Sequence, residues 1–154
     1  MKKFFKKIIK NSPILLLMTK TILKKKLTFF SRFKWNSLAK RDEIKLDLGS
    51  GPRQGVNGWT TIDMNYWTTY TLNADICWDL RDGILLPDKS VNKIYTSHVL
   101  EHIPYNELIP FLIEIRRVLK DGGELSVCVP NFRFYIDAYM ENRLFSEKNS
   151  WWQT

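Results

Sequence analysis

The sequence is poor in the residues that build disulfide frameworks and metal centres. Only two cysteines and two histidines occur among its 154 residues. Cys77 and Cys128 each lie in an apolar, strand-like stretch, where cysteine usually acts as a small hydrophobic residue. These four residues show no metal-ligand spacing, so we predict no metal site. The lack of a secreted disulfide framework favours a reducing, cytoplasmic setting.

Acidic residues are absent from the first 41 positions, which hold 13 of the 24 lysines and arginines. The remaining residues carry 11 basic and 16 acidic side chains, a net charge of −5. This change of sign predicts a basic N-terminal extension over residues 1–41 and a mildly acidic domain over residues 42–154. A negative domain disfavours nucleic acid as a partner, because a long phosphate track requires a basic surface.

The extension also lacks an apolar run long enough to span a bilayer. The run from Pro13 to Met18 has six residues, whereas a transmembrane helix needs about 20. No small-residue cleavage site precedes the cluster from Lys24 to Lys26, which disfavours export. Phe, Ile and Leu alternate with lysine pairs, as in an amphipathic helix. Two hypotheses stay open. The first is a helix lying on an anionic membrane surface at the cytoplasmic side. The second is a basic helix that packs its apolar face on the domain, or a partly disordered leader.

After residue 41 the sequence has a strand, a glycine turn and a second strand that ends in an acid. The strand from Ile44 to Leu48 runs into Gly49 and Gly51, which can bring bare backbone N–H groups close to a ligand. Asp63 is placed to accept hydrogen bonds from both ribose hydroxyls of an adenosine. It follows Gly51 by 12 residues, whereas dinucleotide-binding proteins have an acid about 20 residues on, after a full helix. A nicotinamide dinucleotide is therefore disfavoured, and a nucleoside ligand without phosphates is favoured.

Five segments in order resemble the class I, Rossmann-like methyltransferases that use S-adenosylmethionine. They are residues 46–53, 58–63, 74–81, 97–102 and 117–123. In particular they are similar to a small bacterial-type methyltransferase-domain subfamily, type 11, often associated with cell-surface sugar biosynthesis. The resemblance implies an α/β fold with a doubly wound, mainly parallel sheet of about five strands.

The resemblance also implies a set of cofactor-binding residues at the ends of these strands. The glycine turn would lie under the methionine moiety, Asp63 would bind the ribose, and Asp79 would face the adenine, with Asp75 as the alternative for that role. As alternatives to ligand binding, Asp47 could cap a turn and Asp79 could be an ordinary loop acid. The implied set is Asp47, Gly49, Ser50, Gly51, Asp63, Asp79, Leu80 and Ser97.

The function implied by the resemblance is transfer of a methyl group from S-adenosylmethionine to a small-molecule or saccharide acceptor. A hydroxyl acceptor would benefit from a general base, and His98 or Glu101 are the candidates by motif position. Glu101 could instead be a surface acid, and His102 is expected on a helix surface. The alternative function is a catalytically inactive fragment of this fold that serves as a binding module.

The end of the chain predicts a helix, a strand and a second helix. Residues 106–119 carry apolar side chains at three- and four-residue steps, which indicates a helix. We expect a left-handed cap at Asp121–Gly123 to end it and a strand from Glu124 to Val129 to follow. The 24 residues from Asn131 onward are typical mainly of one helix, followed by Trp151 and Trp152. We therefore expect the sheet to lack the family's final antiparallel hairpin, through truncation or because this helix and the two tryptophans cover the edge of the fifth strand.

Overall fold

The computed structural model describes residues 28–64 and 73–141, which form one five-stranded sheet with all neighbouring strands parallel. The strand order is β3-β2-β1-β4-β5. The strands are β1 (Lys45–Leu48), β2 (Trp59–Asp63), β3 (Ile76–Cys77), β4 (Val91–Ser97) and β5 (Leu119–Cys128). The predicted α/β, Rossmann-like fold is confirmed.

Helices accompany this sheet: α1 (residues 28–38), α2 (Tyr105–Val118) and α3 (Phe132–Met140). Two short 3₁₀ turns follow β3 and β4, at Leu80–Asp82 and Leu100–His102. Side chains alternate between the two faces along each strand. On β1, Leu46 and Leu48 lie on one face and are fully buried, while Lys45 and Asp47 lie on the other. Within the described part of the chain, no helix is long and apolar enough to cross a membrane.

Helix α1 belongs to the predicted N-terminal extension but packs on the sheet. Its residues Trp35 and Leu38 lie in the hydrophobic core, and the Ser31 hydroxyl donates a hydrogen bond to the Cys77 carbonyl at 2.8 Å. The ring of Trp35 meets that of Trp78 edge to face, with centroids 6.4 Å apart. The hypothesis that the extension packs on the domain therefore holds for residues 28–38. Residues 1–27 of the extension lie outside the part of the chain that the structure describes.

Helix α2 confirms the predicted helix, but its end differs from the expectation. The backbone turns extended already at Leu119, which is buried and pairs with Val91 of β4. The next pair is Lys93 with Glu124, so residues 120–123 bulge from β5. Gly122 has a positive φ, +78°, but it lies in this bulge and not at the end of the helix. The strand begins earlier than predicted because Leu119 is buried.

The chain after β5 forms the predicted helix α3. The part of the chain that the structure describes contains no antiparallel strand. Trp151 and Trp152 lie outside that part. Val127 of β5 and Val129 just after it are 42% and 56% exposed, so α3 leaves these side chains partly uncovered.

Candidate functional site

A cavity of about 910 Å³ opens at the carboxyl edge of the sheet. Because the strands are parallel, the turns after β1, β2 and β4 meet at this edge. Strand β1 has β2 on one side and β4 on the other, which makes it the point where the strand order reverses and where α/β proteins bind ligands. Five of the predicted site residues line the cavity: Gly49, Ser50, Gly51, Ser97 and His98.

The glycine turn after β1 is held against the end of β2 by its own backbone. The Gly49 and Ser50 N–H groups donate to the Ile62 carbonyl at 2.8 and 3.3 Å. Gly49 and Gly51 both have positive φ, +72° and +63°, a conformation that other residues adopt only with strain. A Cβ at Gly49 would lie 2.1 Å from Cγ2 of Val99, whereas a Cβ at Gly51 would have no atom within 4 Å. Gly49 thus brings β1 close to the segment after β4, and Gly51 leaves the backbone bare toward the cavity.

This difference predicts unequal effects of alanine at the two glycines. Gly51→Ala adds only backbone strain and is expected to lower the free energy of unfolding by about 1 kcal/mol. Gly49→Ala adds the clash with Val99 and is expected to cost about 2–4 kcal/mol. Urea denaturation of the two variants measures both values. Equal destabilisation would contradict the prediction, since it would mean that Val99 moves aside freely.

Asp63, the last residue of β2, turns its carboxylate toward the glycine turn. Its Oδ2 accepts a hydrogen bond from the Gly51 N–H at 2.8 Å. Only residues 52–58 lie between the turn and β2, and the described backbone there contains no helix. The short glycine-to-acid spacing therefore produces a direct contact between the acid and the turn, with no helix N-terminus available between them for a pyrophosphate.

Asp47 and Ser50 carry buried polar atoms that have no hydrogen-bond partner among the described residues. These atoms are Oδ1 of Asp47 and Oγ of Ser50. A buried acceptor without a partner costs about 1–3 kcal/mol, so such atoms in a site invite a ligand that donates to them. The amino group of a methionine moiety is such a donor, and both residues lie where the resemblance expects it. The residues present therefore fit S-adenosylmethionine.

The charge on Asp47 is shaped by burial and by two neighbours. Burial raises the pKa of its carboxyl, Arg53 lowers it and Asp63 raises it again. The guanidinium of Arg53 lies 3.3 Å from Oδ2 of Asp47 and also donates to the Ser50 carbonyl at 3.0 Å. A second cation near Oδ1 would stabilise the ionised form further, which again suits an ammonium group.

The two candidates for the adenine contact lie at opposite ends of β3. Asp79 follows the carboxyl end of β3 and caps the turn at Leu80–Asp82 by accepting from the Arg81 N–H at 3.1 Å. Asp75 precedes β3, and its Oδ2 accepts from the N–H and hydroxyl of Thr61, both at 2.9 Å. Position therefore favours Asp79 over Asp75, although Asp79 is also the turn cap of the alternative interpretation.

His98, directly after β4, is paired with Glu101. Its Nδ1 lies 3.1 Å from Oε1 of Glu101, and its φ of +56° is unusual for a residue other than glycine. Because a carboxylate only accepts hydrogen bonds, Nδ1 is the donor in this pair, and Nε2 is the ring nitrogen that Glu101 leaves available. This arrangement orients the imidazole at the cavity, with Glu101 as its support.

Several cavity residues have no role in the sequence-based prediction. Asn131, Phe134 and Tyr135 come from the start of α3, and His102 comes from the turn after β4. His102 is exposed, as expected, but it also lines the cavity. Their position in the sequence could have indicated a place at the site, since each follows the carboxyl end of a parallel strand.

Comparison with known proteins gives one match. A family model described as a methyltransferase domain matches residues 46–127, which is more than half of the 154 residues and includes β1 to β4, α2 and most of β5. No curated protein matches the chain.

Proposed function

The chain belongs to the type 11 methyltransferase-domain family, and from this premise we propose that it transfers a methyl group from S-adenosylmethionine to a hydroxyl of a small-molecule or saccharide acceptor. The observation that carries the proposal is the contact between Asp63 and the N–H of Gly51, a residue that lines the cavity. It supports binding of an adenosyl group whose ribose lies against Asp63.

The cofactor would be held at its methionine, ribose and adenine parts. Asp47 and Ser50 would receive the methionine amino group, and Asp63 would accept hydrogen bonds from the ribose hydroxyls. Asp79 and the Leu80 backbone, beyond β3, would contact the adenine. These positions follow the carboxyl edge from β1 through β2 to β3, in the order in which the strands lie in the sheet.

The bound sulfonium supplies an activated methyl group, so the protein mainly aligns the acceptor. Orientation of this kind can supply about 7–11 kcal/mol of the barrier. His98 would take the hydroxyl proton at Nε2 as the oxygen–carbon bond forms, the carbon–sulfur bond breaks and a neutral thioether is left. Glu101 would hold the resulting imidazolium through Nδ1, since a carboxylate at 3.1 Å stabilises that charge.

The acceptor side of the cavity favours a ring with hydroxyl groups. The aromatic rings of Phe134 and Tyr135 and the amide of Asn131 line it. Apolar walls with a few polar groups are typical of small-molecule sites, and an aromatic face beside an amide can contact both the apolar face and the hydroxyls of a sugar.

Calorimetric titration with S-adenosylhomocysteine tests the proposal. We expect the folded chain to bind it with micromolar affinity and NAD at least about 100-fold more weakly, because the turn offers no helix N-terminus for a pyrophosphate. Absence of binding by a chain that unfolds cooperatively would support the non-catalytic binding module instead. Tighter binding of NAD would contradict the choice of cofactor.

A further inference from the structure

Helix α1 has a second apolar face in addition to the one that packs on the core. The buried face carries Ser31, Trp35 and Leu38, spaced four and three residues apart. At 100° per residue, the opposite face carries three phenylalanines with 60%, 52% and 60% of their surface exposed: Phe29, Phe30 and Phe33. A helix anchored on one face thus presents a second, aromatic face to the outside.

These three rings form one patch, which we call the Phe patch. The Phe29 ring lies edge to face with both others, with centroids 5.0 Å from that of Phe33 and 5.9 Å from that of Phe30. Scattered apolar residues on a surface need no explanation, but a contiguous exposed group marks an interaction site. The Phe patch is therefore a candidate docking surface.

The charge around the Phe patch indicates its partner. Arg32 and Lys34 flank it on the helix and both are exposed, although the Lys34 ammonium also donates to the Asp75 carbonyl. The first 41 residues hold 13 basic and no acidic side chains, while the rest of the chain has a net charge of −5. We infer that the Phe patch docks on an anionic lipid surface, where aromatic rings enter the boundary between headgroups and acyl chains and the cations contact the headgroups.

The direction of α1 sets which end of the strands lies nearest to Phe29 and Phe30. Ser31 bonds to Cys77 at the end of β3, whereas Lys34, further along the helix, bonds to the carbonyl of Asp75 before β3. Helix α1 therefore runs antiparallel to the strands, and Phe29 and Phe30 lie toward the carboxyl edge. Docking through the Phe patch would lay α1 and the strands along the membrane surface, with the sheet on the side of α1 that faces away from the lipid.

Sedimentation of the full chain with vesicles tests this inference. The probes are vesicles of phosphatidylcholine alone and of phosphatidylcholine mixed with phosphatidylglycerol. We expect binding to the anionic vesicles, weakened by salt, and little binding to the neutral ones. The double variant Phe29→Ser/Phe33→Ser should bind the anionic vesicles at least about tenfold more weakly, because two aromatic side chains no longer leave water.

The matched control is Ile109→Ser/Ile113→Ser, which removes two side chains of α2 that are 58% and 64% exposed. It should bind vesicles like the unchanged chain. Circular dichroism checks folding, and the single variant Phe33→Ser, with an expected loss of at least about threefold, replaces the double variant if that one unfolds. Equal binding to both vesicle types, no binding, or binding unaffected by loss of the phenylalanines would each overturn the inference. Affinity for S-adenosylhomocysteine should stay unchanged in all variants, which separates this result from the proposed function.

Discussion

Asp63→Ala is expected to weaken the binding of S-adenosylhomocysteine by about 100- to 1,000-fold, or about 3–4 kcal/mol. In the proposed binding mode the variant would lose two charge-assisted hydrogen bonds to the ribose, each contributing about 1.5–3 kcal/mol. It also releases the Gly51 N–H, which donates to Asp63 at 2.8 Å, so the glycine turn loses its contact with the end of β2. Calorimetry gives the dissociation constant directly.

Two further variants separate these effects. Asp63→Asn keeps an acceptor for Gly51 but removes the charge, and its affinity should fall between that of Asp63→Ala and that of the unchanged chain. Asp42→Ala removes an exposed acid just before β1, at the opposite edge of the sheet, and should bind like the unchanged chain. If Asp63→Ala binds within about threefold of the unchanged chain while remaining folded, the ribose lies elsewhere.

The sheet and its glycine turn could be predicted because their signals are local. A short apolar run bounded by a turn is typical of a buried parallel strand, and β1 has that form up to Gly49. The acid at the end of β2 was recognisable by its spacing from the turn. Its contact with Gly51 follows from geometry alone, because neighbouring parallel strands end at the same edge.

The bulge in β5 could not be predicted from local sequence. A left-handed glycine suits a helix cap and a bulge equally, so Gly122 is compatible with both. The choice depends on the burial of Leu119 against Val91, which is a contact between distant parts of the chain. Tertiary packing decided an ambiguity that propensity left open.

The contribution of α3 to the cavity was missed for a different reason. The rule that residues after parallel strands gather at one edge applies to β5 as well as to β1, and it would have placed Asn131 at the site. Helical spacing in α1 would also have placed Trp35 and Phe33 on opposite faces of the helix. That difference was missed because the prediction for the extension was based on its charge pattern. In both cases the position of a residue in the fold could be predicted only from periodicity, topology and composition together.

His98→Asn is expected to lower kcat by about 100- to 10,000-fold, the usual contribution of a general base. Asparagine suits this test because it tolerates the positive φ of +56° at this position and cannot accept a proton. The assay is release of S-adenosylhomocysteine with the saccharide that turns over fastest in a panel of acceptors. Affinity for S-adenosylhomocysteine should change little, since the proposed role of the imidazole is to act on the acceptor.

Two comparisons decide whether His98 is the base. Glu101→Gln keeps a side chain within reach of Nδ1 but removes the charge that supports the imidazolium, so a smaller loss, about tenfold, is expected. A full loss of turnover in His102→Asn, with His98→Asn active, would assign the base to the other histidine of the cavity.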